Sequence, residues 1–398
     1  MDDFRRHWAL DPSVKFLNHG SFGATPRRAL EYQQFLRERM ERQPVQFFVR
    51  DLEPMLDEAR VSLGGFLGAD PDDLAFITNA TMGVNAVLRW LPLRAGDELL
   101  TTSHEYNACA NALHAVADPV GARVVVADVP FPLASPEEVT EAVLAKVAAH
   151  TRLALVDHVT SQTGLVFPIK DIVRELNARG VDTLVDGAHG PGMLPLDLRA
   201  IGAAYYTGNL HKWVCAPKGA AFLHVRRDRQ GSSRPLSISH GANSPRSDRS
   251  RFRLEADWIG TCDPTPWLCV PEVIRFLAEL MPGGWEALRA HNYALARKGR
   301  DILCAALDTP PPAPDAMLGT LASVPLPDFT LDAPDAAQMF LGDPLQTELW
   351  EKHRIEVPVI PWGPFQRIVR ISAQLYNSVE EYEALAAALT KIIARQRA

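Results

Sequence analysis

Asp182-Thr183-Leu184-Val185-Asp186-Gly187-Ala188-His189 is a short apolar run that stops at a carboxylate, a glycine turn and a histidine. Leu153-Ala154-Leu155-Val156-Asp157, upstream, has the same shape. Strands covered on both faces read as unbroken apolar runs of this kind, whereas half-exposed strands alternate. Further candidate strands fall at Leu74–Thr78, Glu98–Thr102, Arg123–Ala127, Ala203–Tyr206 and Ala220–Val225. Between them Gly83–Leu91, Ala108–Ala117, Pro136–Ala149 and Ile169–Arg179 carry apolar residues at helical spacing. Strands alternating with crossover helices predict an α/β fold built on a doubly wound, mostly parallel sheet of seven strands.

Beyond Pro264 the pattern changes to a long helical region, Val270–Ala306, then a proline-rich stretch, Thr309–Pro314, then a shorter α+β pattern closed by a helix at Val379–Arg397. This predicts a second, smaller α+β domain. The prolines at 310–314 and 325–327 suit linkers and sheet edges better than sheet interiors. No internal repeat is evident.

Composition narrows the function classes. The 398 residues include 41 Lys+Arg against 48 Asp+Glu, a formal net charge of −7, and 47% are hydrophobic. That is enough apolar material for a large core and argues against disorder. There is no basic excess for nucleic acid, and the cluster Arg246–Arg253 is interrupted by Ser, Asp and Phe. No stretch reaches the roughly 20 apolar residues of a membrane helix, and Met1–His7 is polar, so a cytoplasmic protein is expected. The five cysteines are scattered without a close pair, which supports neither a disulfide framework nor a zinc site.

In open α/β sheets ligands bind beyond the carboxyl ends of the strands. Polar residues collect there repeatedly: Thr78-Asn79-Ala80-Thr81-Met82-Gly83, Ser103-His104-Glu105-Tyr106-Asn107, His158 to Gly164, Asp186 to His189, and Thr207-Gly208-Asn209-Leu210-His211-Lys212-Trp213. The first opens a helix and offers amides and a threonine hydroxyl to a phosphate, although a plain helix cap reads the same way. Asp186 alone could be a cap or a metal ligand, and Lys212 alone a surface lysine. No GxGxxG follows a strand and no GxxxxGK[ST] occurs, which argues against a nucleotide site; His19-Gly20-Ser21-Phe22-Gly23 lacks the first glycine of a nucleophile elbow.

The joint pattern is more specific. Asp186 to His189 closes one strand, His211-Lys212 follows the next, and Lys212 lies 26 residues after Asp186. With Asn18-His19-Gly20, Phe47-Phe48-Val49-Arg50, Thr78 to Thr81, Glu105-Tyr106, His211-Lys212-Trp213 and Arg370-Ile371-Ser372, the chain resembles class V aminotransferases, a group of fold-type I pyridoxal-phosphate (PLP) enzymes. Within that group it looks most like the isopenicillin N epimerase-like branch. The resemblance runs from about Phe16 to Ile393.

This resemblance implies that Lys212 forms the Schiff base with PLP and shuttles protons, that Asp186 faces the pyridine nitrogen, and that His189 meets the ring's phenolic oxygen. Tyr106 would stack on the ring. Ala80, Thr81, Met82, Asn209 and His211 would hold the phosphate, with Thr261 supplied by a neighbouring subunit in a homodimer with shared active sites. Asn209 stands where the family often has serine. Arg370 matches the arginine that takes the substrate carboxylate, a planar two-point grip; Arg50, Asn18 and His19 are further substrate-side candidates. His158 and His104 have the ordinary reading of satisfied buried histidines. No metal is implied. The implied division is an N-terminal segment, 1–20, near the active site, a PLP-binding domain, 21–263, and an inter-domain helix with the small domain, 264–398.

The expected activity is PLP chemistry at the α-carbon of an amino acid, either epimerisation or racemisation, or alternatively β-elimination of the C–S lyase type, with transamination third. A persulfide-relay desulfurase needs a loop cysteine, and 353–370 contains none. Aromatic residues Phe47, Phe48, Trp213, Trp267 and Trp362 are candidates for a pocket lining.

Overall fold

The structure is a computed structural model describing residues 4–327, 343–363 and 366–397. Its strands are β1 (Lys15–Phe16), β2 (Leu74–Ile77), β3 (Glu98–Thr102), β4 (Arg123–Ala127), β5 (Thr151–Asp157), β6 (Asp182–Asp186), β7 (Tyr205–Asn209), β8 (Ala221–Val225), β9 (Leu321–Pro325), β10 (Ile355–Glu356), β11 (Val359–Trp362) and β12 (Gln366–Ser372). Seven form one sheet in the order β2-β8-β7-β6-β5-β3-β4. Strand β8 alone runs antiparallel to its two neighbours. The other six therefore present their carboxyl ends along one edge.

Alternate side chains of the central strands serve two cores. Ala154 and Val156 of β5 and Val185 of β6 join one cluster, whereas Leu153, Leu155 and Leu184 join another on the opposite face. Both faces are thus covered, which is why these strands read as continuous apolar runs. Each fully buried leucine contributes on the order of 2 kcal/mol by leaving water.

The helices Ala80–Arg89, Asn107–Ala117 and Ile169–Ala178 match the predicted ones to within a few residues, and the helix at Pro136–Leu144 stops five residues short of its predicted end. The predicted helix over 270–306 is broken into Val270–Glu279 and Gly284–Leu307. Pro282 has no amide to donate, and Gly283 and Gly284 adopt φ of 96° and 62°, a turn that side-chain-bearing residues resist.

A third core, including Leu303, Val324, Ile371 and Leu389, lies between the helix Gly284–Leu307, the sheet β11-β12-β9 and the helix Val379–Arg397. The N-terminal stretch is tied to this part of the chain by the parallel pair β1 and β10. Of the predicted α+β region, 328–342 and Pro364-Phe365 lie outside the described residues, as do 1–3 of the N-terminal segment.

Candidate active site

A cavity of about 480 Å³ opens over the carboxyl edge of the large sheet, and its lining includes Thr81, Tyr106, Asp186, His189, Lys212 and Arg370. Asp186 is the last residue of β6 and Asn209 the last of β7; His189 and Lys212 follow in the next turns. Strand pairing therefore fixes their spacing. The cavity also takes in Gly20, Ser21 and Phe22 from the N-terminal stretch, Asp157 at the end of β5 and Ser161 beyond it, and Ala80, Asn209 and His211.

Asp186 is held as an acceptor: the Ala188 amide donates to Oδ1 at 2.8 Å and the Cys109 thiol to Oδ2 at 3.3 Å. Lys212 Nζ lies 3.0 Å from His189 Nε2. The Trp213 indole N–H donates to His189 Nδ1 at 3.2 Å. An indole nitrogen can only donate, so the neutral imidazole carries its proton on Nε2 and presents it to the lysine. That arrangement suits an uncharged amine. Burial, reinforced by the Arg370 charge, draws Lys212 down to about 8, and burial holds His189 well below its ordinary value.

Arg370, on β12, is buried. Its Nη2 donates to Ser21 Oγ at 3.0 Å and its Nη1 to the Ser161 carbonyl, while Nε is buried without a partner among the described residues. Ser21 in turn donates to Asn18 Oδ1 at 2.6 Å, and Asn18 Nδ2 donates to Glu356 at 3.1 Å.

At the start of the helix Ala80–Arg89, the Ala80 amide donates to Asn209 Oδ1 at 2.8 Å and the Met82 amide to Asn79 Oδ1 at 2.9 Å. Met82 does not line the cavity, and its amide is engaged by Asn79 as the Ala80 amide is by Asn209. Asn209 organises the helix start through its oxygen. Thr78 and Thr81 are the lining residues of this turn that carry hydroxyls. His211 Nδ1 donates to the Ala220 carbonyl at 3.1 Å, which leaves Nε2 as its other polar atom.

Three further substrate-side expectations move. His19 is fully buried outside the lining; its Nε2 meets the Lys212 carbonyl at 3.0 Å and its Nδ1 the Tyr376 hydroxyl at 2.7 Å. It supports the lysine's backbone. Asn18 acts through Ser21, behind the wall. Arg50 lines a separate cavity of about 380 Å³ with Phe48, Arg246 and Trp258. Thr261 is exposed and outside the described cavity of this single chain.

His158 bonds Tyr206 at 2.9 Å, and His104 bonds Thr163 at 2.8 Å and the Val129 carbonyl at 3.1 Å. Both are satisfied buried histidines. Trp362 packs on His104 and Phe131, Trp267 donates to the Ile77 and Gly219 carbonyls, and Phe47 is core. Trp213, a candidate for the pocket lining, stands behind His189 instead, and Ser21, Cys109 and Asp157 are site residues that sequence reasoning did not assign, each tied to the site by a partner or neighbour remote in sequence.

The donor set fits PLP: a carboxylate braced as an acceptor for a ring nitrogen, an amine of lowered basicity for an aldehyde, a helix start with a threonine for a phosphate, and a buried guanidinium with an unused N–H. A doubly wound sheet bearing this set at one edge defines a fold-type I PLP enzyme. The model of the family described as "Aminotransferase class-V" matches residues 43–385, and the chain belongs to that family. It is similar to the isopenicillin N epimerase of Amycolatopsis lactamdurans, with 39% identity covering 98% of this chain and 97% of that protein. Similarity to the putative L-cysteine desulfhydrase 2 of Oryza sativa subsp. japonica is 31%, covering 98% and 86%. A solved structure of C-DES with glycine covalently linked to its PLP cofactor superposes with a TM-score of 0.76 at 22% identity, covering 95% of this chain and 96% of that one. Among the described residues no helix is long and apolar enough to cross a membrane.

Proposed function

We propose that this protein is a PLP-dependent epimerase or racemase acting at the α-carbon of an amino acid, of the isopenicillin N epimerase type. The observation that carries the reading is the 39% identity to such an enzyme over nearly the whole of both chains. The gathering of Lys212, Asp186, His189 and Arg370 around one cavity supports it.

When bound, PLP supplies an electron sink that makes the α-hydrogen of an amino acid acidic. Lys212 would hold the cofactor and, as an amine poised near neutral pH, would take that proton on one face, whereas inversion requires its return on the opposite face from a second proton donor. Asp186 would keep the ring nitrogen protonated, His189 would turn its Nε2 proton from the lysine to the ring's phenolic oxygen, Tyr106 would cover the ring, and Ala80, Thr81, Asn209 and His211 would hold the phosphate. Arg370, pinned by Ser21 and Ser161, turns its free edge to the substrate carboxylate. The same reading takes 21–263 as the cofactor-binding domain and 264–398 as the smaller one. It also takes a cytoplasmic homodimer in which Thr261 of each chain completes the other's cup.

Cleavage at Cβ, as in a C–S lyase, is the second reading, favoured by the 31% identical desulfhydrase relative. Proton NMR in deuterated water with a panel of L-amino acids and cysteine conjugates separates the two. Exchange of the α-hydrogen with loss of chirality and no pyruvate is expected. Pyruvate with ammonia, and sulfide or a thiol from the sulfur substrates, would retire the epimerase reading.

A further inference from the structure

Asp157 and Asp186 are the last residues of neighbouring parallel strands and pair in register, so their carboxyls leave the sheet on the same side. Glu105, in the turn after β3, adds a third. One oxygen of Glu105, Cys109 Sγ and one oxygen of Asp186 all lie within 4.8 Å of one another. Asp157 faces Asp186 across the ladder and feels the Glu105 carboxyl too, and three negative charges gathered this far from water cannot coexist cheaply.

The hydrogen-bond donors are unevenly shared. Asp186 receives two, from the Ala188 amide and the Cys109 thiol. Asp157 Oδ2 receives none among the described residues, although Asp157 is only 2% exposed and lines the cavity. A buried carboxylate oxygen with no donor is costly, whereas a carboxylic acid brings its own O–H. Glu105, like Asp186, receives two, from the Tyr106 amide at 3.1 Å and the Thr101 hydroxyl at 2.9 Å, but that hydroxyl can turn to accept from an acid as readily as it donates to a carboxylate.

We infer that Asp157 and Glu105 are carboxylic acids in the working protein, positioning residues that leave Asp186 as the single negative charge of the cluster. The inference rests on the proposed role of Asp186 toward the ring nitrogen, because two neutral neighbours let one anion match one ring cation. Burial, followed by the facing carboxyls, raises Asp157 and Glu105 well above the usual carboxylate range. Burial raises Asp186 as well, but the Ala188 amide, the Cys109 thiol and Lys212 oppose it. The ionisable groups facing the cluster are Tyr106, Cys109 from the helix Asn107–Ala117, Tyr206 of β7 and Lys212 from beyond β7.

Infrared spectroscopy of the holoprotein tests this without reference to turnover. At neutral pH the wild type is expected to show protonated-carboxyl carbonyl bands that shift in deuterated water; Asp157→Asn and Glu105→Gln should each remove one component. The pH midpoint of cofactor absorbance in Asp157→Asn should stay within about half a unit of wild type, since asparagine copies a neutral acid. Removing an ionised neighbour would instead lower that midpoint by about a unit or more, which would overturn the inference. If neither variant folds, the wild-type spectrum alone decides: no acid band at neutral pH overturns it. Failure of the wild type to bind PLP would sink the functional reading and leave the carboxyl bands in place, so the two failures are distinguishable.

Discussion

Two regions build this site in different ways. Asp157, Asp186 and Asn209 close adjacent strands of one sheet, whose ladder fixes their spacing before any side chain contributes. Arg370 comes from the small antiparallel sheet and is fixed by single hydrogen bonds, one of them to Ser21, 349 residues away in sequence. The first set is redundantly held by the backbone. The second depends on a relay, Arg370 to Ser21 to Asn18 to Glu356, with no backbone ladder between its first two members. Chemistry on the cofactor should therefore reside in the sheet edge, and grip on the substrate in the relay.

The largest effect should come from the sheet edge. Lys212→Ala is expected to lose the absorbance of the lysine-bound cofactor and to lower turnover by about 10²–10⁴-fold or more. Absorbance and borohydride sensitivity check it; if both survive, the lysine is misassigned. Arg370→Lys should do less and differently. A lysine cannot serve Ser21, the Ser161 carbonyl and a carboxylate together, so KM should rise by about 10–10²-fold with the cofactor spectrum intact. Steady-state kinetics alongside absorbance would break the comparison if the spectrum disappeared too.

The same division explains what the sequence disclosed. The strands and the helix Val379–Arg397 were legible because burial on two faces and helical spacing are local signals. The break after Glu279 was missed because the apolar spacing on either side outweighed Pro282 and Gly283. Asp186, His189 and Lys212 stood out because each follows a strand within a few residues. Cys109 and Ser21 did not, since their partners Asp186 and Arg370 are 77 and 349 residues away, and Trp213 was read toward the pocket because its partner His189 is 24 residues away. His19 was read toward the substrate for the same reason: its contact with the Lys212 carbonyl spans 193 residues.

The two regions meet in one electrostatic coupling. Burial first, and then the charge of Arg370, lower Lys212 to about 8. Only the free amine attacks an aldehyde, so cofactor uptake by the cofactor-free protein should accelerate as pH rises through about 8 and then level off, well below the ordinary lysine value of 10.5. Arg370→Gln removes a like charge, disfavours the neutral amine, and should move that midpoint upward. Stopped-flow absorbance across pH reads both. An unmoved midpoint would separate the two regions electrostatically and leave burial as the sole cause.

The smallest effect should come from Trp213, fully inside the protein and fixed by one bond to His189. Trp213→Phe keeps most of the buried ring but removes the donor to Nδ1. His189 is then free to place its proton on Nδ1, where it no longer faces the lysine. A lost hydrogen bond of about 1 kcal/mol corresponds to roughly a fivefold fall in turnover, with binding of the substrate carboxylate unaffected. A structural defect alone would lower thermal stability without changing the pH profile. Loss of the tautomer lock should shift the lysine-linked limb of the profile, because a ring presenting an acceptor instead of an N–H favours the charged amine and raises the midpoint. Arg370→Lys leaves the Trp213–His189 bond in place, so the double variant should show a KM effect from one region and a pH effect from the other, added without interaction.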